Sequence, residues 1–444
     1  MTNTIAFVSL GCDKNLVDSE HMLGLLHEAG FTLIGDESEA EVLVVNTCCF
    51  IEDAKRESIE QILEVAKYKE IGKCKALIVT GCMAQRYKEE ILEEMPEVDA
   101  VVGTTSYDKI VETVTEALEA KGVRVSKFDT IDREHLENMP RILTTAGYFA
   151  YIKIAEGCDN KCTYCIIPSL RGKYRSRPIE QLKKEAEKLA KDGVSELILV
   201  AQDTTLYGTD LEGDITLVTL LRELSSVEGI EWIRILYCYP ENITDELIEE
   251  IKTNDKVCKY LDIPIQHAAD PVLKRMARKS THAELIEKMN KLRAEVPGIA
   301  IRTTLIVGFP GETEEDFEVL CNFVKEMRFD RLGVFTYSQE EGTPAARLKD
   351  QIDEEVKMQR KEIIMSMQHD ISEVLTHEKI GRTMRVLIEG KLANEPVYLA
   401  RTYQDAPDID GQVFVQYEGE LISGDYVDVK ITGASDYDLI GELV

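Results

Sequence analysis

Apolar and polar positions alternate on two different scales along the chain. In the first 140 or so residues, short solid apolar runs are separated by longer amphipathic stretches. The runs are TIAFVSL (4–10), EVLVVN (41–46), ALIVT (76–80) and AVVG (100–103). Solid runs suit strands buried on both faces, and recurrence every three to four positions suits helices, so parallel β/α units are predicted. One such helix ends near Gly30, and the stretch from Glu52 to Lys69 reads as another. From Lys127 to Thr145 the periodicity fades, as in a linker.

A second series of the same kind begins at YFAYIKIAE (148–156). It continues through ELILVAQ (196–202), IEWIRILY (230–237), KYLDIPI (259–265), IAIRTTLIV (299–307) and RLGVFTY (331–337), with helical patterns such as 179–193 and 312–327 between. Six β/α units in about 190 residues suit a partial (β/α)6 barrel, since a closed eightfold barrel needs roughly 250. Residues 351–380 read as one long charged helix. Thereafter the pattern changes to five short strand-like runs, TMRVLIEG, PVYLART, QVFVQYEG, DYVDVKITG and DLIGELV, which predict a small β-barrel. The expected fold class is therefore α/β, with an open parallel sheet over 1–140, a partial barrel over 141–350, a linking helix over 351–380 and a β-barrel over 381–444.

Composition narrows the function classes. The 444 residues carry 52 Lys+Arg against 82 Asp+Glu, a formal charge of −30. Such a surface repels phosphate backbones unless a local basic patch overrides it, and it favours a basic partner. The bland reading of the same charge is solubility. The opening MTNTIAFVSLG lacks the basic and apolar regions of a signal peptide, and no apolar run is long enough to span a bilayer, so no membrane role and a reducing cytoplasm are expected. In that setting the 11 cysteines point to metal ligation or catalysis before disulfides.

Only one group of cysteines is tightly spaced. In GCDNKCTYC, Cys158, Cys162 and Cys165 have C-x3-C-x2-C spacing just after the first strand of the second series, where β/α barrels place active sites. Three thiolates on one loop can hold three irons of a [4Fe–4S] cube and leave the fourth open. A structural zinc site would normally close with a fourth Cys or His, and His135 and His267 are both remote in sequence. An open iron suits chelation and reductive cleavage of S-adenosylmethionine to a 5′-deoxyadenosyl radical. A second group is dispersed. Cys12, Cys48 and Cys82 each follow one of the first three parallel strands, so they are expected to converge on the carboxyl rim of that sheet. The competing reading is three unrelated small core residues. Cys49 sits beside Cys48 and competes with it. Cys74, Cys238, Cys258 and Cys321 lie in apolar or helical patterns and read as core.

Weaker features flank these groups. IVGFPGET (306–313), with Gly308, Gly311 and Glu312, is a turn that could bring backbone close to a nucleoside or be a tight β/α connection. His267, in DIPIQH, could act as a hydrogen-bond donor or acid, or be structural. Tyr164, beside Cys165, could stack on adenine or pack the loop. Beyond the clusters no residue is assigned as catalytic.

At these motifs the chain resembles the methylthiotransferases of the radical S-adenosylmethionine superfamily over nearly its whole length. The resemblance implies an N-terminal domain holding one [4Fe–4S] cluster through Cys12 in SLGCDKN, Cys48 in VNTCCF and Cys82 in VTGCMA. It implies a central radical barrel holding the other through Cys158, Cys162 and Cys165, with Tyr164 in the aromatic position that contacts adenine, and a C-terminal TRAM barrel. One S-adenosylmethionine would supply the radical and a second the methyl group, with sulfur delivered through the N-terminal cluster. An electron donor and a sulfur source are further expected partners. Cys49 departs from the glycine usual at that position.

Within that family one branch modifies an adenosine beside the tRNA anticodon, and the other an aspartate of ribosomal small-subunit protein twelve. FVSLGCDKNLVDSE, GCDNKCTYCIIPSLRGKYRSRP and DAPDIDG (405–411) resemble the ribosomal-protein branch. Charge points the same way: residues 381–444 hold five Lys+Arg against twelve Asp+Glu, whereas a barrel gripping tRNA should be basic. The tRNA alternative would need a basic surface elsewhere, such as RGKYRSR (171–177). A second alternative is a non-catalytic ribosome-associated iron–sulfur protein.

Overall fold

A computed structural model describes residues 3–119, 123–134 and 136–444, so His135 lies outside the described residues. The chain forms two compact units. One comprises Met1–Thr144, Ala155–Arg177 and Ser338–Ala346, and the other Thr145–Ile154, Pro178–Tyr337 and Arg347–Val444.

The first unit is built on a six-stranded parallel sheet of β1 (Thr4–Ser9), β2 (Thr32–Leu33), β3 (Val42–Thr47), β4 (Ala76–Gly81), β5 (Ala100–Val102) and β6 (Val125–Lys127). The strand order is β2-β1-β3-β4-β5-β6. Every residue of β3 and β4 is buried, as expected of central strands covered on both faces. Their side chains alternate between two cores. Leu43, Val45, Leu77 and Val79 join one, and Val42, Val44, Ala76 and Ile78 the other. The edge strands β2 and β6 are two and three residues long, too short to stand out in the hydrophobic pattern.

In the second unit, β7 (Phe149–Lys153) opens another all-parallel six-stranded sheet. The stretch after it holds a small hairpin of β8 (Ala155–Glu156) and β9 (Arg175–Ser176), which belongs to the first unit. The second sheet continues with β10 (Glu196–Val200), β11 (Trp232–Ile235), β12 (Val257–Asp262), β13 (Ala300–Val307) and β14 (Arg331–Thr336). Its order, β14-β13-β12-β11-β10-β7, leaves two edges and makes it the expected open barrel. The long helix spans Glu354–His377. Beyond it, β15 (Thr383–Lys391), β16 (Val397–Thr402), β17 (Val413–Gln416), β18 (Tyr426–Ala434) and β19 (Leu439–Leu443) close into a barrel around Val386, Ile388, Ala400, Val415 and Ile431. Among the described residues, no helix is long and apolar enough to cross a membrane.

The DAPDIDG segment binds this barrel to the second sheet. Arg331 pairs with Asp405, while Tyr260 Oη donates to Asp410 at 2.8 Å and Arg302 approaches the same carboxylate at 3.6 Å. Its carboxylates Asp405 and Asp410 are therefore committed internally. Beneath them Glu196 accepts from Arg401 and from Arg234, all three side chains being buried.

Candidate iron–sulfur sites

Strand order decides which cysteines meet. Because β1, β3 and β4 are adjacent, the residues that follow them, Cys12, Cys48 and Cys82, emerge side by side at one rim. Two glycines make the turns. Gly11 and Gly81 both have φ of +91°, a conformation that favours glycine. Neither has room for a side chain, since a Cβ on Gly11 would stand 2.9 Å from that of Cys48, and one on Gly81 would stand 2.2 Å from Asn46 Oδ1. Cys12 then caps the helix Asp13–Glu28, and Cys82 opens the short helix Cys82–Tyr87.

A buried polar web fixes the rim. Asn15 Nδ2 donates to the carbonyls of Leu10 and Thr47 at 3.2 and 3.0 Å, and Asn46 Nδ2 donates to Asn15 O at 2.9 Å. Ser58 holds the Cys48 backbone at both ends, accepting from its N–H at 3.0 Å and donating to its carbonyl at 2.8 Å. Burial pushes the Cys48 thiol up to about 12, and nearby Cys82 and Cys12 add to the shift despite a hydrogen bond from the Phe50 backbone. Burial likewise raises the Cys82 thiol, opposed by Arg171. Cys49 is fully buried, in a core cluster that also contains Cys82. Burial raises it to about 12 as well, with Cys82, Arg86 and Cys48 as its electrostatic neighbours.

The contiguous group lies on a loop of the same unit. Gly157, at φ +81°, brings the chain so close to Lys173 O that a Cβ would stand 2.0 Å away. The Cys158 N–H donates to Gly172 O at 3.1 Å, and the Cys165 N–H to Cys162 O at 3.1 Å; the Cys165 thiol lies near those of Cys162 and Cys158. Cys165 is pushed up to about 12, mainly by burial and secondarily by Cys162 and Cys158. Tyr164 is half-buried beside it.

Three sulfur donors in each set fit an iron–sulfur cube. Soft thiolates suit iron–sulfur chemistry, and a cube needs its ligands farther apart than one ion does. Among the described residues, no three His, Cys, Asp or Glu groups close on a point that could hold a single metal ion.

Other expected site residues have local reasons to exist. Gly308 and Gly311, at φ +71° and +76°, lie against the side chains of Lys357 and Arg275. Glu312 is tied to Arg360 at 3.0 Å and accepts from the Phe309 N–H at 3.0 Å, and burial raises its carboxyl to about 7. His267 Nδ1 accepts from the Ala269 N–H at 3.0 Å, which assigns the ring proton to Nε2, 3.9 Å from Glu312. Burial, helped by Arg360, lowers His267 to about 3, so it stays neutral and serves the packing. Cys74, Cys238 and Cys258 are buried as expected, whereas Cys321 is half-exposed.

Several residues escaped the sequence reading. Asn15, Asn46, Ser58 and Arg171 order the first rim; Asn15, Asn46 and Arg171 lie inside the motifs, but nothing in the motifs shows what their side chains hold. Tyr237 and Gln266, just beyond β11 and β12, have φ of +61° and +72°. Such strain costs on the order of 1–3 kcal/mol and clusters at functional rims, but it leaves no sequence signal.

Comparison with known proteins agrees with this architecture. Residues 4–103 match the family model described as "Uncharacterized protein family UPF0004", 152–324 the Radical SAM superfamily and 380–444 the TRAM domain. The chain is 57% identical to ribosomal protein uS12 methylthiotransferase RimO of Lachnoclostridium phytofermentans, covering 98% of this chain and 99% of that one. It is 52% identical to the same-named protein of Clostridioides difficile over 99% and 98% of the two chains. For that of Acetivibrio thermocellus the identity is 53% over 100% and 99%. Among solved structures, the radical S-adenosylmethionine methyltransferase TsrM from Kitasatospora setae, with cobalamin and a [4Fe-4S] cluster bound, superposes with a TM-score of 0.56. At 15% identity over 78% of this chain and 74% of that one, it shares the fold. The chain belongs to the ribosomal protein uS12 methylthiotransferase family of radical S-adenosylmethionine enzymes.

Proposed function

We propose that this chain attaches a methylthio group to the β-carbon of an aspartate in ribosomal protein uS12, using S-adenosylmethionine and two [4Fe–4S] clusters. The observation that carries the reading is the presence, in one compact unit, of two separate three-thiol sets, one on adjoining strand ends and one on a single loop. In this reading Cys158, Cys162 and Cys165 hold the cluster that binds S-adenosylmethionine, and Cys12, Cys48 and Cys82 hold the other. Cys48 is favoured over Cys49 because its thiol interacts with both Cys12 and Cys82, whereas the Cys49 thiol is hydrogen-bonded by Arg86.

When bound, the clusters and S-adenosylmethionine supply the electrons, the radical chemistry and the transferred groups. The chain's residues place and protect them. Gly11 and Gly81 aim Cys12 and Cys82, and the Asn15–Asn46 web fixes the three strand ends. Cys48 Sγ and Cys165 Sγ, held protonated by burial, must each release a proton on ligation, so loading is favoured by higher pH. Tyr164 is assigned to stack on adenine. The turn at Gly308, Gly311 and Glu312 offers backbone to the nucleoside, with the Glu312 side chain held by Arg360. The division into a cluster domain (1–140), radical barrel (141–350), linking helix (351–380) and TRAM barrel (381–444) belongs to the same proposal, as do a cytoplasmic location, an electron donor and a sulfur source.

Charge favours the ribosomal protein over tRNA. With Asp405 and Asp410 committed internally, the TRAM barrel still exposes Glu395, Asp408, Glu418, Glu420, Asp425, Asp428, Asp436 and Glu442 against Arg382, Arg385, Lys391 and Lys430. RGKYRSR does not supply a compensating basic surface, because Arg171 is buried and paired and only Lys173 of its four cations is exposed. An acidic barrel steers a basic protein and repels phosphates. The test is anaerobic reaction of reconstituted protein with S-adenosylmethionine, reductant and sulfide, offering the uS12 loop peptide and unmodified tRNA in parallel. A methylthio mass gain on the peptide alone is expected; a gain on tRNA alone overturns the substrate.

A further inference from the structure

Arg171 is the last residue of the helix Ile167–Arg171, six positions beyond Cys165, yet its side chain ends at the other cysteine set. The guanidinium is buried and its two terminal nitrogens have different partners. Nη1 donates to Asp18 at 2.7 Å and to Glu156 at 3.2 Å. Nη2 donates to Asn15 Oδ1 and lies 3.6 Å from Cys82 Sγ. The Cys82 thiol in turn lies 3.7 Å from Asn15 Oδ1. The carboxylates thus take one side of the fork, while the side toward the thiol presents N–H groups and positive charge. That charge acts on Cys48 and Cys12 as well as Cys82.

We propose that Arg171 is a positioning residue for the cluster held by Cys12, Cys48 and Cys82, donating an Nη2–H hydrogen bond to the ligating Cys82 sulfur and raising that cluster's reduction potential. The inference rests on the proposed function, in which those cysteines are cluster ligands. Its physics is simple. Reduction adds one electron to a site in low dielectric, and a fixed cation and N–H donor favour the more negative state, as hydrogen bonds to cluster sulfurs do in general. Asp18 opposes the effect by drawing the guanidinium charge to its other side. Because Arg171 rides on the chain that carries Cys165, the loop of one thiol set also sets the electrostatics of the other.

The test uses the full-length reconstituted chain with Cys158, Cys162 and Cys165 all changed to Ala, so that a single cluster remains. Iron content and the midpoint of its one-electron reduction by dithionite, read by electron paramagnetic resonance, are compared with and without Arg171→Met or Asp18→Asn. Arg171→Met is expected to lower the reduction equilibrium constant about tenfold, roughly 59 mV for one electron. Asp18→Asn is expected to move it the other way, and Arg171→Lys to recover part of the loss. A merely structural role would not give shifts of opposite sign. If Arg171→Met does not fold, the isosteric Asp18→Asn decides alone. Iron retained with both midpoints unmoved overturns the role of Arg171 and leaves the ligand assignment standing. No iron in the triple-Ala parent overturns the ligand assignment, and this inference with it.

Discussion

Two sets of buried guanidinium contacts, one in each compact unit, differ in what they touch. In the first unit Arg171 joins Asp18, Glu156 and Asn15 and reaches a thiol, Cys82. In the second, Arg401 and Arg234 share Glu196, Arg331 holds Asp405, and Arg360 holds Glu312; the hydrogen-bonded anions are carboxylates, and the buried Cys258 thiol near Arg234 interacts with it only through charge. Burial of a charge therefore does not by itself mark chemistry, because desolvation and pairing nearly cancel in either setting. What separates the networks is the hydrogen-bonded partner. Carboxylates answered by arginines clamp the C-terminal barrel onto the second sheet, whereas a guanidinium beside a ligand-type thiol can tune a cofactor.

Substitutions sharpen the contrast, beginning with the largest effect on stability. Burial opposes ionisation of Glu196, but Arg401 and Arg234 more than offset it and hold its carboxyl below the usual range. Glu196→Ala would leave two buried cations without their shared partner, at a cost of about 3–5 kcal/mol. Urea unfolding should report that loss, while iron content in the folded fraction stays unchanged. A fall in iron binding without loss of stability would erase the distinction between the networks.

The smallest effect is expected at Glu312. Its carboxyl is raised to about 7 by burial, against the pull of Arg360. The folded chain therefore holds this proton more tightly than the unfolded one, whose ordinary value is near 4.5. The stabilisation is complete below that value and is lost as pH rises through about 7. Glu312→Gln should flatten that part of the unfolding profile between pH 4.5 and about pH 7. An unchanged slope would show that Arg360 keeps the carboxylate ionised throughout.

Much of the architecture was legible in the hydrophobic pattern. Solid runs at 41–46 and 76–80 marked the two central strands of the first sheet, and the five short runs after residue 380 became the five strands of the closed barrel. The edge strands Thr32–Leu33 and Val125–Lys127 were not visible, because so few residues carry no period. The C-x3-C-x2-C group was readable because one loop holds it, whereas Cys12, Cys48 and Cys82 needed a topology before they could be placed together. DAPDIDG carried the likeness to one branch, but its sequence could not show that Asp405 and Asp410 turn inward to Arg331, Arg302 and Tyr260. Arg171 was hidden for the same reason: in RGKYRSR it is one cation of several, and only the fold buries it against Cys82.

The central claim, that two cysteine sets divide the labour of one reaction, is tested most directly by comparing Cys82→Ala with Cys162→Ala in the anaerobic assay. Both 5′-deoxyadenosine and methylthiolated uS12 peptide would be quantified by mass spectrometry. Cys82→Ala is expected to form 5′-deoxyadenosine without methylthiolated product, and Cys162→Ala to form neither. Methylthiolated peptide from Cys82→Ala, or normal 5′-deoxyadenosine from Cys162→Ala, would contradict the account.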